Sequence, residues 1–247
     1  GQVDLLSRSV TWNLSRDAGL GLSFAGVTFF DGQGFMVRKA LNAKSAKDLD
    51  GATVCTQTGT TTELNLADYF RANNLKYTPV VFETTDQVVA AYEAQRCDVY
   101  TTDKSTLAAR IGKMKEPAAH VILPETISKA ANGPVVRQND GQWENIVRWT
   151  LNALIAAEEL GVTAANVDEQ KTASKDPEVR RMLGADGELG KLLGLDKDWA
   201  HNAIKAVGNY GEIYDRNIGP KGAVPIPRDG LNRLWSKGGL MFSPSFQ

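Results

Sequence analysis

The sequence predicts an α/β fold: a mostly parallel sheet with helices on both faces. Two observations carry the prediction. Between residues 35 and 127, short β-rich runs alternate with stretches of helical spacing, the pattern of consecutive βαβ units. Hydrophobic residues make up 42% of the chain and charged residues 23%, as in a globular protein with a packed core.

The elements follow in order. Residues 35–37 (Phe35, Met36, Val37) read as a strand, and 45–49 as a short helical turn before Gly51. Residues 53–57 form a β-rich run, followed by a helix over 63–73 with Leu64, Ala67 and Phe70 on its apolar side. A second β-rich run covers 77–82, and a helix over 86–95 uses Val88, Val89 and Tyr92. A strand over 97–101, a helix over 105–114 and a strand over 120–123 complete the series. Residues 142–160 form one long amphipathic helix through Trp143, Ile146, Val147, Leu151, Leu154 and Ile155, stopped by Gly161. Shorter helices are predicted over 177–183, 188–193 and 198–214, the last capped by Asp196 or Asp198. Residues 218–247 are rich in Gly and Pro but carry Leu231, Leu234, Trp235 and Met241, so a packed extension is expected.

The 247 residues suffice for one large domain or two small ones. With 28 basic and 29 acidic side chains the net charge is -1, which argues against a nucleic-acid binder. No stretch approaches the roughly 18 uncharged apolar residues of a membrane span. The chain opens inside what reads as a strand, Gln2 to Leu6, without a signal peptide, so a missing natural beginning is expected. Cys55 and Cys97 sit in short apolar runs. One disulfide and two buried free thiols both fit that pattern. Neither has a C-x-x-C or histidine neighbour, so no metal site is expected.

Three constellations could hold a ligand. In Gln57-Thr58-Gly59-Thr60-Thr61-Thr62-Glu63 a strand meets a helix, glycine permits close backbone approach, and the helix amides favour an anion. Thr60 and Glu63 also fit a capping box, so a merely well-capped helix is the bland reading. In the run from Ser9 to Arg16 a strand gives way to hydroxyls and an arginine able to hold a carboxylate through two parallel hydrogen bonds; the bland reading is a surface arginine. Asp103 follows Thr101-Thr102 at a strand's C-terminal end, placed to pair with an ammonium or to cap the next helix. Together they complement a zwitterionic α-amino acid.

Catalytic signals are thin. His120 opens an apolar strand and His201 lies in a helix, which suits structural roles. There is no G-x-S-x-G elbow. Glu158-Glu159 reads as a solvated helix face, and Lys171, Lys175, Arg180 and Arg181 as an exposed basic cluster.

The run from Asp4 to Arg16 resembles the first-lobe ligand motif of family 3 solute-binding proteins, the periplasmic receptors of polar amino-acid ABC transporters. The runs Phe29 to Phe35, Gly59 to Glu63 and Arg96 to Asp103 continue the likeness over essentially the whole chain. The ending from Leu231 to Met241 is similar to the general L-amino acid-binding subgroup. The resemblance implies a type II periplasmic-binding-protein-like fold of two lobes, each with a mostly parallel sheet, residues 1–30 with 134–247 and residues 31–133. It implies that Arg16 and Thr11 hold the ligand α-carboxylate and that the Ser9 carbonyl accepts from its ammonium. From the second lobe, Thr61, supported by Thr60 and Thr62, offers amides to the carboxylate, Asp103 holds the ammonium, and Gln57 lines the side-chain pocket. No cofactor is implied, and the expected partners are a free L-amino acid and a membrane permease. The strand, helix and strand that normally precede the Asp4 segment are absent, so an incomplete first lobe, covered by a partner copy in a homodimer, is expected. Lobe closure about Phe30-Asp31-Gly32 and Asn132-Gly133-Pro134 would trap the ligand. Rival readings are a dehydratase-like enzyme on the same fold, with Asp103 as its acid or base, and a ligand-sensing interaction domain.

Overall fold

The computed structural model describes residues 2–222, 224–228 and 230–247. Two compact units are present: Gly1–Phe30 with Ala131–Gln247, and Asp31–Ala130. The return crossing falls at Ala130, where the sequence places it at Gly133. The first unit opens with β1 (Leu5–Leu6), α1 (Leu14–Gly19) and β2 (Leu22–Phe24), and β3 (Phe29–Asp31) leads out of it. The second unit holds β4 (Gln33–Arg38), β5 (Ala52–Gln57), α2 (Thr61–Ala72), β6 (Tyr77–Phe82), α3 (Thr85–Glu93), β7 (Val99–Asp103), α4 (Lys104–Ile111) and β8 (His120–Ile122). The chain returns through β9 (Ala130–Asn132) to β10 (Val135–Arg137) and α5 (Gly141–Glu159). Then come α6 (Val167–Ala173), α7 (Pro177–Met182), α8 (Leu189–Leu192), α9 (Trp199–Val207) and α10 (Tyr210–Asn217).

The second unit is a five-stranded sheet in the order β6-β5-β7-β4-β8. Four strands run one way; β4 alone is antiparallel to both its neighbours, β7 and β8. Period-two alternation splits each central strand between two cores. Phe35, Val37, Val54 and Val99 meet Leu66 and Phe70 of α2 on one face. Met36, Cys55 and Tyr100 meet Val88, Ala91 and Tyr92 of α3 and Leu107 of α4 on the other. Burial on both faces is why these strands read as continuous apolar runs. Leu64, expected on the apolar side of α2, is 68% exposed. The helix starts two residues earlier than expected and turns Thr62, Leu66 and Phe70, spaced four apart, toward the sheet.

The sulfurs of Cys55 and Cys97 are bonded, with Cα atoms 5.7 Å apart. Beside them Asp98 locks the starts of β5 and β7 together. Its carboxylate accepts from the Thr53 amide at 2.9 Å and the Thr53 hydroxyl at 2.6 Å. Its own amide is 2.9 Å from the Thr53 hydroxyl. These bonds favour the ionised form, and the Thr53 hydroxyl first of all holds the Asp98 carboxyl below its ordinary range. A lowered folded-state pKa stabilises the fold fully above the unfolded carboxylate's value of about 4. The increment disappears as pH falls through the lower folded value. Asp98→Asn should therefore flatten the acid side of a plot of urea midpoint against pH, and an unchanged acid slope would refute this.

In the first unit the paired strands β1-β10-β2 are antiparallel, so the parallel expectation does not extend to its described residues. Burial in α5 lies in its second half, where Leu151, Ala153, Ile155, Ala156 and Ala157 pack inside; Trp143, Ile146 and Val147 are half-buried. The expected single helix over 198–214 is two. Gly208, with φ of 82°, ends α9, and Asn209 restarts the chain with a capping box to Glu212. Asp198 precedes α9 without capping it and pairs instead with Lys171 at 2.8 Å. The C-terminal extension packs through Leu234, Met241 and Phe246, while Leu231 and Trp235 are more than half exposed.

Two charge readings need correction. Glu158 is not solvated: only 14% of its side chain is exposed, and it meets Arg228 at 2.5 Å. The arginine also lies over the Tyr210 and Tyr214 rings. Of the basic cluster only Lys175 is exposed; Arg180 pairs with Asp186, and Arg181 donates to the Phe246 carbonyl. Both histidines are engaged, His120 with the Tyr92 hydroxyl and His201 with Asp168.

Candidate functional site

In the first unit the Asn13 side chain caps α1 by accepting from the Arg16 amide at 2.9 Å. The short helix folds Arg16 back, and its Nη1 donates to the Thr11 carbonyl at 3.0 Å. Thr11 is 8% exposed and bridges to Asn132. Its hydroxyl is 3.4 Å from the Asn132 side-chain oxygen, and the Trp12 amide donates to the Ala131 carbonyl. The structure therefore brings Thr11 and Arg16 together. Arg16 has no ion-pair partner among the described residues, which leaves guanidinium donors for an anion. Ser9 is exposed.

In the second unit the loop after β5 turns through Gly59 at φ of 69°, where a side chain would be strained. The Thr60 hydroxyl accepts from the Glu63 amide at 3.3 Å and donates to the Gln57 carbonyl at 2.7 Å. Glu63 reaches back to the Gly59 amide at 2.9 Å, one residue before the expected capping-box partner. The box is thus half-formed and displaced. The amides of Thr61 and Thr62 have no acceptor among the described residues, at the positive end of a 12-residue helix. Gln57 is committed elsewhere: its amide donates to the Glu83 carbonyl at 2.9 Å and accepts from the Thr85 hydroxyl at 3.0 Å. Those bonds tie it to the loop before α3.

Asp103 ends β7 and is 8% exposed. It occupies the N-cap position of α4 but forms no side-chain cap. Asp31 supplies that contact, accepting from the Ser105 amide at 3.4 Å and the Gly32 amide at 2.8 Å. The helix-cap reading of Asp103 is thereby removed. Gln33, which sequence reasoning missed, lies opposite Asp103 in the ladder and bonds the Thr62 carbonyl. A lone glutamine in the run Asp31-Gly32-Gln33-Gly34 gives no local signal of this. Among the described residues no group of three His, Cys, Asp or Glu side chains could hold a metal ion, and no helix is long and apolar enough to cross a membrane.

No protein-family profile matches the chain. Curated relatives match nearly all of it. The general L-amino acid-binding periplasmic protein AapJ of Rhizobium johnstonii is 58% identical over 246 residues, covering 99% of this chain and 72% of the relative. The glutamate/glutamine/aspartate/asparagine-binding protein BztA of Rhodobacter capsulatus is 52% identical over 247 residues, 100% of this chain and 73% of its own length. A solved ABC transporter periplasmic binding protein from Brucella ovis, with glutathione bound, has a TM-score of 0.96 at 52% identity, covering 100% of this chain and 77% of that one. The fold is that of the type II periplasmic binding proteins. The chain belongs to the periplasmic binding proteins of amino-acid ABC transporters.

Proposed function

We propose that this chain works in the periplasm as the solute-capturing component of an importer, holding one free L-amino acid and performing no chemistry on it. The carrying observation is that the second unit holds both amides at Thr61 and Thr62 without an acceptor among the described residues and the buried carboxylate of Asp103. Such a pair matches an α-carboxylate and its ammonium. Within the first unit, Arg16 and the Thr11 hydroxyl and amide offer a hold for a carboxylate, and the Ser9 carbonyl an acceptor for an ammonium. Thr60 and Thr62 shape the turn through their 2.8 Å hydroxyl contact. Gln57 contributes by anchoring the loop below that turn.

The loaded form then docks on a membrane permease. Exposed Leu14 and Leu20 of the first unit offer an apolar surface to a second copy of the chain. An enzymatic reading finds no support beyond Asp103 itself.

Calorimetry against the twenty L-amino acids and reduced glutathione tests the proposal. Glutathione belongs in the panel because its γ-glutamyl end carries the same α-ammonium and α-carboxylate. At least one L-amino acid should bind with Kd of about 1 μM or tighter, well ahead of its D-enantiomer. Binding of none below about 1 mM would overturn the proposal.

A further inference from the structure

Gln33 is the first residue of β4 and is fully buried. Its backbone amide donates to the Ser128 hydroxyl at 3.2 Å. Its side-chain Nε2 donates to the Thr62 carbonyl and to the Thr101 hydroxyl, both at 2.9 Å. The Thr101 hydroxyl gives its own hydrogen to the Gly34 carbonyl at 2.7 Å, so toward Gln33 it can only accept. The amide is therefore fixed in one orientation: flipped, it would set oxygen against the Thr62 carbonyl. In the orientation adopted, Oε1 is buried without a partner. An unmet buried oxygen is destabilising, and an apolar side chain of the same size would avoid that cost. What Gln33 supplies that an apolar side chain would not is its two donor contacts.

One donor grips the first turn of α2, where the Thr61 and Thr62 amides are open. The other grips β7 two residues before Asp103, which itself pairs with Gln33 in the ladder. We propose that Gln33 is a positioning residue that sets the spacing between the carboxylate-binding turn and the ammonium-binding Asp103, and so selects α-amino acids over β-amino acids. This rests on the site assigned above. An α-amino acid separates its charged groups by one carbon; a β-amino acid inserts a further C–C bond of about 1.5 Å. A helix end pinned by Gln33 suits one spacing, whereas a released one adapts to either.

The test compares L-glutamine with L-β-homoglutamine, which carries the same side chain and one extra methylene before the carboxylate. Competition calorimetry is run on the wild-type chain, Gln33→Met and Thr101→Val. Methionine keeps the bulk and removes both donors; valine removes one acceptor. Gln33→Met should lose about tenfold in glutamine affinity and narrow the glutamine preference by a similar factor, and Thr101→Val should narrow it by about threefold. A strut of purely structural importance would weaken both ligands alike, so an unchanged ratio overturns the proposal whatever the absolute loss. Circular dichroism checks folding, and should Gln33→Met not fold, the Thr101→Val ratio decides. If the wild-type protein binds neither compound, the same comparison is made with the L-amino acid that binds tightest in the panel above and its β-homologue; binding of none of the panel overturns the site assignment, and this proposal with it.

Discussion

Asp103→Ala is expected to weaken amino-acid binding by about 100- to 1000-fold, the usual consequence of removing one partner of a buried, hydrogen-bonded charge pair. The carboxylate ends β7, is 8% exposed, and lies opposite Gln33 in the ladder. Without it, a bound ammonium is withdrawn from water with its charge unmatched. Asp103→Asn keeps the size and one acceptor but loses the charge, so its loss should be smaller. Neither change removes a helix cap, because Asp31 and not Asp103 caps α4. Calorimetry reads the affinity, and a thermal melt confirms that the chain is folded. Affinity within threefold of wild type would remove Asp103 from the site.

Replacing Cys55 and Cys97 with alanine should destabilise the second unit by about 4 kcal/mol in the chain-entropy account. The bond joins residues 42 apart in sequence and so restricts the unfolded chain considerably. Both cysteines are fully buried in the core beneath α3, so the lost sulfur contacts add to the effect. For a unit of this size the thermal transition should fall by roughly 20 °C. Unfolding the wild-type chain in dithiothreitol should give a somewhat smaller shift, because reduction removes the cross-link but leaves both sulfur atoms in place. A fall of only two or three degrees would show that the bond contributes little. Persistence of a disulfide requires an oxidising compartment, which fits the proposed periplasmic setting.

Much of the second unit was legible because its residues obey short-range rules. The β-rich runs before α2 and α4 appear as strands since Val54, Val99 and their neighbours are apolar on both faces. The Gly59 turn was legible because positive φ favours glycine. Misreadings arose where a partner distant in sequence decided the outcome. Glu158 looks solvated on its own helix until Arg228, 70 residues later, covers it. The helix phase of α2 depends on the sheet it packs against, which local spacing placed differently.

By itself, the sequence determined the α/β class, the helices and strands of the second unit, and the motifs at Thr11 to Arg16, Gly59 to Glu63 and Asp103. Each is written in residues adjacent along the chain, through alternation, helical spacing or a turn's need for glycine. Only the tertiary structure decided that the two cysteines bond, that Asp31 and not Asp103 caps α4, and that Gln33 ties Thr62 to Thr101. Those pairings join residues 29 to 74 positions apart, and hydrogen bonds and burial act through space, leaving no local pattern to read.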